Sequence, residues 1–440
     1  MPTAGGIALA LILASISALI LAGGVIEADA QKQPATMSLF GGSLPANSSE
    51  IRGMRPESVG AVARFSLSLG TTSNLRSRSN AARRLQIALP GGNSVTCLLR
   101  PVSRPNAMVV LAGTPVGGGD ADRCSLVVAG AQVVGEVDVG SGRYRIQPLG
   151  SGDTHAVIEV KTDVFPDESE PKLVPGEARP TSRALPGGIE QCDVKPPEGA
   201  QPKVLGPIRV MFLYTQAVRA NAPNIRADVE LLVQQLRGVF SAQRLGRNFS
   251  VAVELAHAQE INYTEAGDME KDLERLTNPR DAAFRQVHAL RDTHKADIVH
   301  LLIKGTPKDS CGIGWLNLSL RAQDAFSVSD HQCALQVYSA AHEIGHNIGM
   351  NHDRFVERDA KPGPGEFNHG FVAVQGGIRS LMAYNNQCAE QKKNCARVLF
   401  LSSPNIRLGG GPFGRPLDHP EAAYNVEVLC RNAPAASEFR

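Results

Sequence analysis

The sequence lacks an excess of either charge, with 45 Lys and Arg against 43 Asp and Glu in 440 residues. Proteins whose main partner is nucleic acid normally carry a clear cationic excess, so we expect no nucleic-acid partner. Apart from one apolar run at the N-terminus, no stretch approaches the length needed to span a membrane. The 42% hydrophobic and 20% charged residues are typical of a globular protein, and the length favours two domains.

The N-terminal apolar run is typical of a signal peptide. Residues 2–26 carry no charged side chain, and Ala28 and Ala30 are small residues at the −3 and −1 positions of a cleavage site. No Lys or Arg precedes the run, and it is long enough to be a retained membrane anchor instead. We predict a signal peptide over 1–30, export to the periplasm or the extracellular space, and no membrane association after its removal.

Cysteine is also scarce, but its number is even. In an oxidising compartment the eight cysteines are expected to form disulfides. Their spacing along the chain suggests three local pairs, Cys97 with Cys124, Cys311 with Cys333, and Cys388 with Cys395. Cys192 and Cys430 are then left over.

Composition changes twice along the chain. Residues 31–163 contain alternating apolar stretches separated by glycine turns, which predicts a small antiparallel β domain. Residues 164–204 are dense in proline, which predicts an extended, accessible linker with a processing site. Residues 205–440 alternate apolar strands with helices, which we predict at 225–245, 279–292 and 333–348. That alternation predicts an α/β domain with a mostly parallel sheet covered by helices.

Histidine is scarce, yet three of the 11 histidines fall in the stretch HEIGHNIGMNHD. His342 and His346 lie four apart on a predicted helix, so both imidazoles project from one face and can bind one Zn²⁺ ion. Glu343 points about a quarter-turn away, where it can reach a metal-bound water. Gly349 can take the left-handed conformation that ends the helix and returns His352 to the same ion. The pattern therefore predicts a zinc site with three protein ligands.

This stretch, followed by SLMAYNN at 380–386, resembles the zinc motif and Met-turn of the metzincin metallopeptidases. Asp353 after the third histidine and HGFV at 369–372 are similar to the reprolysin (adamalysin)-like branch, including bacterial peptidyl-Asp metalloendopeptidases. The segment VGEVDVGSGRYRIQPLGSGDTHAVIEV at 134–160 resembles the β-hairpin region of reprolysin-type propeptides. The resemblance covers roughly residues 205–430 and implies a metzincin-like catalytic domain preceded by a β propeptide domain.

The resemblance implies a role for each residue of the site. His342, His346 and His352 would bind one catalytic zinc ion, and Glu343 would be the general base for attack of water on the peptide bond. Met382 would form the apolar floor beneath the ion. For Tyr384 two alternatives stay open, a catalytic hydroxyl that contacts the oxyanion and a structural hydroxyl. Substrate would bind as an added strand along the sheet edge predicted at 312–318.

The sequence thus predicts a secreted zinc metalloendopeptidase, made as a zymogen, that acts as a monomer on protein or peptide substrates. Cys192, at the end of the linker, is a candidate thiolate ligand of the kind by which many metzincin propeptides block the zinc. The alternative is a disulfide between Cys192 and Cys430. The sequence makes no prediction about calcium.

Five cations lie near the segment that would wall the pocket for the side chain after the scissile bond: Arg379, Lys392, Lys393, Arg397 and Arg407. One buried cation there could select an acidic side chain, so a preference for aspartate is a hypothesis. Two other function classes stay open, an exported binding or surface protein with an inert metzincin-like domain and a membrane-anchored protein with structural zinc. The intact Glu343 argues against the first. A coordination position left open by three protein ligands argues against the second.

Overall fold

The computed structural model describes residues 34–44, 50–174, 201–305, 310–357 and 366–440. The predicted signal peptide, Cys192 and much of the predicted linker lie outside these residues. Residues 35–440 form one compact unit. Within the described ranges, no helix combines the length and the apolar character needed to cross a membrane.

The N-terminal part is a large, mostly antiparallel sheet with a short helix. Its elements are β1 (Thr36–Ser38), β2 (Phe40–Leu44), β3 (Val59–Leu67), α1 (Leu69–Arg76), β4 (Arg83–Ala88), β5 (Ser94–Ser103), β6 (Met108–Pro115), β7 (Arg123–Ala129), β8 (Gln132–Val139), β9 (Gly142–Pro148) and β10 (Thr154–Val160). The order across the sheet is β1-β4-β5-β6-β7-β8-β9-β10-β3-β2. Alternate residues of these strands face a core of their own, in which a disulfide joins Cys97 to Cys124.

A second sheet with helices on both faces follows. Its elements are β11 (Lys172–Leu173), β12 (Lys203–Thr215), α2 (Gln216–Asn221), α3 (Ile225–Val239), α4 (Ala242–Leu245), β13 (Phe249–Ile261), α5 (Met269–Thr277), α6 (Arg285–Thr293), β14 (Ile298–Ile303), β15 (Gly312–Leu316), β16 (Phe326–Asp330), α7 (His331–Gln336) and α8 (Ser339–Asn347). The order is β11-β15-β16-β14-β12-β13, and β13, β12, β14 and β16 pair in parallel. Strand β15 is antiparallel to β16. The mixed α/β content predicted from the sequence is confirmed.

The strand β12 shows why both faces of this sheet are covered. Val210 and Phe212 belong to a core shared with α3 and α8, whereas Met211 and Leu213 belong to a separate core shared with α5 and α6. Successive side chains of a strand point to opposite faces, so an uninterrupted apolar strand requires a helical layer on each side. One of these layers contains the predicted active-site helix.

The rest of the chain packs beside α8. Its elements are β17 (Val372–Ala373), β18 (Ile378–Arg379), α9 (Asn386–Glu390), β19 (Ala396–Arg397), β20 (Ser403–Leu408), β21 (Gly411–Phe413) and α10 (Asn425–Ala436). The strands β17, β18 and β19 form one small sheet, and β20 and β21 form another. Helices α5 and α10 were not predicted from the sequence.

The predicted helix boundaries were partly wrong. The helix expected at 225–245 is divided into α3 and α4, and the one expected at 279–292 begins only at Arg285. The helix expected at 333–348 is broken at Tyr338, which has a φ of 65°. The Tyr338 hydroxyl donates to Asp138 and accepts a hydrogen bond of 2.9 Å from Arg123, both in the N-terminal sheet. These contacts come from a distant part of the chain, so local periodicity could not indicate the break.

The first part of the predicted linker is not an accessible connection. Strand β11 pairs in parallel with the edge strand β15, and the Ser169 amide donates to the Gly312 carbonyl at 2.8 Å. Upstream of it, the Cys311 amide donates to the Asp167 carbonyl at 3.2 Å. Proline is tolerated in such a segment because an edge strand pairs on one side only. Residues 165–174, which we call the cleft segment, therefore lie along the edge predicted to receive substrate.

Candidate active site

Three histidine side chains converge beside α8. His342 and His346 lie one turn apart on that helix, and His352 follows on the returning chain. Their Nε2 atoms are 3.0–3.1 Å from one another, and all three rings are fully buried. Three nitrogens on one tetrahedral Zn²⁺ ion, each at about 2.0–2.1 Å, would be about 3.3 Å apart. The spacing therefore fits a single metal ion held by the three histidines.

Backbone carbonyls fix which nitrogen two of these rings present. The Nδ1 atom of His342 is 2.9 Å from the Leu381 carbonyl oxygen, and that of His346 is 2.8 Å from the Met350 carbonyl oxygen. A carbonyl can only accept, so Nδ1 carries the proton and Nε2 keeps its lone pair for a metal. Burial lowers the pKa of His342 to about 4 and the pKa of His346 and His352 well below the usual value. All three imidazoles are therefore neutral at pH 7, which is the form in which histidine binds a metal.

A glycine returns the third histidine to this point. Helix α8 ends just before Gly349, which has a φ of 94°. Its amide donates to the His346 carbonyl at 2.9 Å and closes the last turn. A Cβ atom at this position would lie 2.9 Å from Nδ2 of Asn432. Both the left-handed conformation and the close packing therefore favour glycine.

Glu343 lies next to the first histidine and is fully buried. Among the described residues, neither of its carboxylate oxygens has a hydrogen-bond partner. Burial raises its pKa well above the usual value, and the nearby Glu168 carboxylate raises it further. The edge strand β15 passes close by, since a Cβ atom at Gly312 would lie 2.7 Å from Oε1 of Glu343. Such a carboxylate can accept a proton from a water molecule in the cleft.

The SLMAYNN segment packs against the same site. Met382 is fully buried under α8, where a Cβ atom added at Gly345 would lie 2.7 Å from its Sδ atom. The ring of Tyr384 is 4.1 Å from the ring of His352, centroid to centroid. Its hydroxyl donates to the Glu168 carbonyl at 2.7 Å, within the cleft segment. The structure thus brings both residues to the histidine cluster and directs the Tyr384 hydroxyl at a backbone carbonyl in the cleft.

Beside the histidine cluster, the side chains of Arg397 and Ser339 bind the carboxylate of Glu168. Arg397 donates to Glu168 through both terminal nitrogens, at 2.5 and 2.6 Å, and the Ser339 hydroxyl donates to the same carboxylate at 2.5 Å. Burial alone would raise the pKa of Glu168, but the Arg397 guanidinium outweighs it and holds that pKa well below the usual value. The neighbouring Asp167 accepts a hydrogen bond of 2.9 Å from Arg379. We call the Arg397 and Ser339 side chains the carboxylate pocket.

Sequence reasoning identified this pocket only in part. Of the five cations named near it, Arg397 and Arg379 contact the cleft segment, whereas Lys392, Lys393 and Arg407 are exposed. It missed Glu168 and Ser339. The one signal for Glu168 was the acidic stretch DESE at 167–170, which stands out in the proline-rich segment.

Disulfides hold two edges of the site. Cys311, just before β15, is joined to Cys333 on α7, and Cys388 is joined to Cys395, two residues before Arg397. Together with the bond between Cys97 and Cys124, these are the pairs that spacing suggested. Cys430 is also disulfide-bonded. Cys192 lies outside the described residues, so its zinc-switch role stays a prediction.

Comparison with known proteins points in the same direction as the geometry. Residues 228–353 match the model of the reprolysin-like metallopeptidase family M12B. A peptidyl-Asp metalloendopeptidase of Stenotrophomonas maltophilia strain K279a is 28% identical over 423 residues, which span 94% of this chain and 92% of the relative. An enzyme of the same name from Xanthomonas campestris is 28% identical over 72% of this chain and 69% of its own length.

The solved structure of metalloproteinase-II from Bacteroides fragilis is 13% identical over 65% of this chain and 85% of its own, with a TM-score of 0.42. A likeness at that level does not contribute to the assignment. The family match, the relatives and the HExxHxxGxxH motif do, and the three histidines of that motif form the buried cluster. The chain is a metallopeptidase, and over residues 228–353 it is similar to the reprolysin-like family.

Proposed function

We propose that the chain is a secreted, zinc-dependent metalloendopeptidase made as a zymogen, with Glu343 as the general base. The observation that carries this proposal is the convergence of three neutral histidine nitrogens beside a buried carboxylate without hydrogen-bond partners among the described residues. The name of the relatives, peptidyl-Asp metalloendopeptidase, supports a preference for peptide bonds next to aspartate.

His342, His346 and His352 would hold the zinc ion through Nε2. When bound, zinc polarises the scissile carbonyl and lowers the pKa of the attacking water. Glu343 takes the proton of that water and passes it to the leaving amine. Its raised pKa suits this task, because a carboxylate with a higher proton affinity is a stronger base near neutral pH.

Tyr384 is proposed as a hydrogen-bond donor to the reacting carbonyl. Its hydroxyl already donates to a backbone carbonyl of the chain that lies in the cleft. A donor directed at the position where negative charge develops stabilises the transition state more than the ground state. Burial raises the pKa of this hydroxyl well above the usual value, and the Glu168 carboxylate raises it further, so it stays protonated and able to donate.

The zymogen proposal is supported by the cleft segment. A peptide substrate that adds to the sheet edge needs the backbone groups of β15, and residues 165–174 already use them. We propose residues 31–163 as the propeptide domain, 205–440 as the catalytic domain and a processing site within 164–204. The signal-like N-terminus and the disulfides support export, after which we expect a monomer that is free of the membrane.

The test is cleavage of a peptide library by the exported and processed protein, before and after removal of its metal by a chelator. We expect the chelator to abolish cleavage and added Zn²⁺ to restore it. Glu343→Ala should lower kcat by about 10²–10⁴-fold while metal analysis still finds one zinc per chain. Glu254→Ala, which removes an exposed carboxylate of β13 in the proposed catalytic domain, is the matched control. Cleavage that survives both the chelator and Glu343→Ala would refute the mechanism.

A further inference from the structure

We propose that Arg397 and Ser339 form the specificity pocket for an acidic side chain of the substrate, and that Glu168 of the same chain occupies this pocket as an internal substrate mimic. The inference rests on the proposed peptidase function. It names the residues that select the substrate and the group that blocks them.

The carboxylate pocket lies beside the histidine cluster. Ser339 is the first residue of α8, three positions before His342. The hydroxyl of Tyr384, whose ring packs on a histidine of the cluster, donates to the backbone carbonyl of Glu168 itself. The residue whose side chain fills the pocket is therefore also the residue whose backbone reaches the catalytic tyrosine. A substrate residue bound at the same place would have its side chain in the pocket and its backbone at the site of reaction.

The chemistry of the pocket selects a carboxylate. Arg397 binds both oxygens of Glu168, and the side chains of the two residues are 3% and 0% exposed. A planar guanidinium matches two carboxylate oxygens, and burial away from water strengthens each hydrogen bond. An amide or a methyl group in the same position would leave a buried guanidinium without its anion, which is the situation that gives strong discrimination between substrates.

The pocket is held in place by residues other than Glu168. Arg397 Nη1 also donates to the Val337 carbonyl at 3.1 Å, and the strand β19 that bears Arg397 pairs with β18. The disulfide at Cys395 fixes the start of that strand. A cation positioned by its own domain keeps its direction when the cleft segment leaves, so it is available to the next carboxylate that enters.

The cleft segment is held by main-chain pairing along the sheet edge as well as by ion pairs. It adds to β15 through main-chain hydrogen bonds, as a bound peptide would, and a second ion pair joins Asp167 to Arg379 at 2.9 Å. The segment runs parallel to β15. Backbone pairing along the edge, with an acidic side chain in the carboxylate pocket, is the combination that a substrate must displace.

The specificity claim is tested with three fluorogenic peptides that differ only in Asp, Asn or Leu after the scissile bond. The full chain is expressed, exported, allowed to undergo its own processing, and loaded with zinc before assay. We expect kcat/KM for the Asp peptide to exceed that for the Asn peptide by at least about 10²-fold. Arg397→Gln should reduce this ratio to within about fivefold, mainly by loss of Asp cleavage. Arg407→Gln, which removes an exposed arginine, should leave the ratio unchanged.

Arg397→Gln leaves Glu168 buried without its partner and can prevent folding, so a second variant is needed. The double variant Glu168→Gln, Arg397→Gln removes both charges of the pair and should fold, as judged by its melting temperature, yet also lack the preference for Asp. An unchanged Asp-to-Asn ratio in the folded variants would overturn the inference while cleavage itself still supported the peptidase. No cleavage of any peptide by the processed, zinc-loaded wild-type protein would overturn both.

The internal mimic is tested by binding, without relying on turnover. In the full chain carrying Glu343→Ala, fluorescence anisotropy measures the Kd of a labelled Asp peptide. Adding Glu168→Ala should tighten this Kd by at least about tenfold, because a larger fraction of the molecules has an open pocket. Adding Glu57→Ala should not change it. Equal affinity with and without Glu168 would show that the cleft segment does not compete for the pocket.

Discussion

The closest approach between the edge strand and the proposed base gives a sharp test of the mechanism. In Gly312→Ala, the new methyl carbon would lie 2.7 Å from Oε1 and 2.9 Å from Cγ of Glu343. Comfortable contacts between such atoms are about 3.5–4.0 Å, so Glu343 must move by roughly 1 Å. A displacement of that size in a catalytic group costs about 10²-fold in rate, or about 2.7 kcal/mol of transition-state stabilisation.

Overpacking also affects stability, which the assay must separate from catalysis. An extra methyl group in a well-packed interior costs about 1–3 kcal/mol of the free energy of unfolding. We therefore expect Gly312→Ala to fold with a lowered melting temperature and to lose about 10²-fold in kcat. Its zinc content should stay at that of the wild type, because the histidines are anchored from the other side by the Leu381 and Met350 carbonyls.

Gly411→Ala is the matched control, since a Cβ atom there would meet nothing within 4 Å. It should keep both kcat and the melting temperature of the wild type. A kcat of Gly312→Ala within about threefold of the wild type would refute the argument, because it would mean that the position of Glu343 does not limit the reaction. Loss of zinc in this variant would refute it in another way, by showing that the edge strand supports the metal site and not the base.

Three further predictions follow from the same structure. Tyr384→Phe should lower kcat by about 10–10²-fold with little change in zinc content, since it removes a donor to the reacting carbonyl; an unchanged kcat would make the hydroxyl structural. Gly349→Ala should lower the free energy of unfolding by about 1–3 kcal/mol and weaken zinc binding in a chelator competition, because an L residue would have to take a φ of 94°. Gly130→Ala is the control for the conformational cost alone, since Gly130 has a φ of 64° and open space around it. Burial opposes ionisation of Asp138, but Arg143 and Arg123 outweigh it and lower its pKa to about 2, below the unfolded value of about 3.9. This carboxylate therefore stabilises the fold above about pH 4, by about 2 kcal/mol, and the stabilisation is lost as the pH falls towards 2. Urea unfolding of Asp138→Asn should show a smaller loss of stability than the wild type over that range, and parallel curves would contradict the assignment.

The contacts around Asp138 also connect the N-terminal sheet to the start of helix α8. Asp138 binds Arg123 at 2.7 Å and Arg143 at 2.9 Å within the N-terminal sheet and receives the hydroxyl of Tyr338. Tyr338 is the N-cap residue of α8, the helix that carries His342 and His346. We expect removal of the N-terminal sheet to free this residue, because its left-handed conformation is held by groups that would leave with the propeptide.

The candidate metal centre is the part of the molecule that local sequence determines. The spacing of His342 and His346 defines a helical face, and a glycine at 349 allows the return of His352, so ligand identity follows from a short stretch of chain. Parallel strands with covered faces were likewise indicated by uninterrupted apolar runs. These features depend on periodicity and turn chemistry, and both are set by residues that are close together in the sequence.

The carboxylate pocket, by contrast, depends on the tertiary structure, which brings its residues together from distant parts of the chain. Glu168 and Arg397 are 229 positions apart, and the sequence presents one as part of an acidic stretch and the other as one cation among five. Only folding shows which arginine is buried and which carboxylate reaches it. The same is true of Tyr338, whose break in the predicted helix depends on partners 200 and 215 positions away. Local pattern determines which groups can bind a metal, but burial and the pairing of distant charges depend on how the whole chain packs, and these decide what the site accepts and what blocks it.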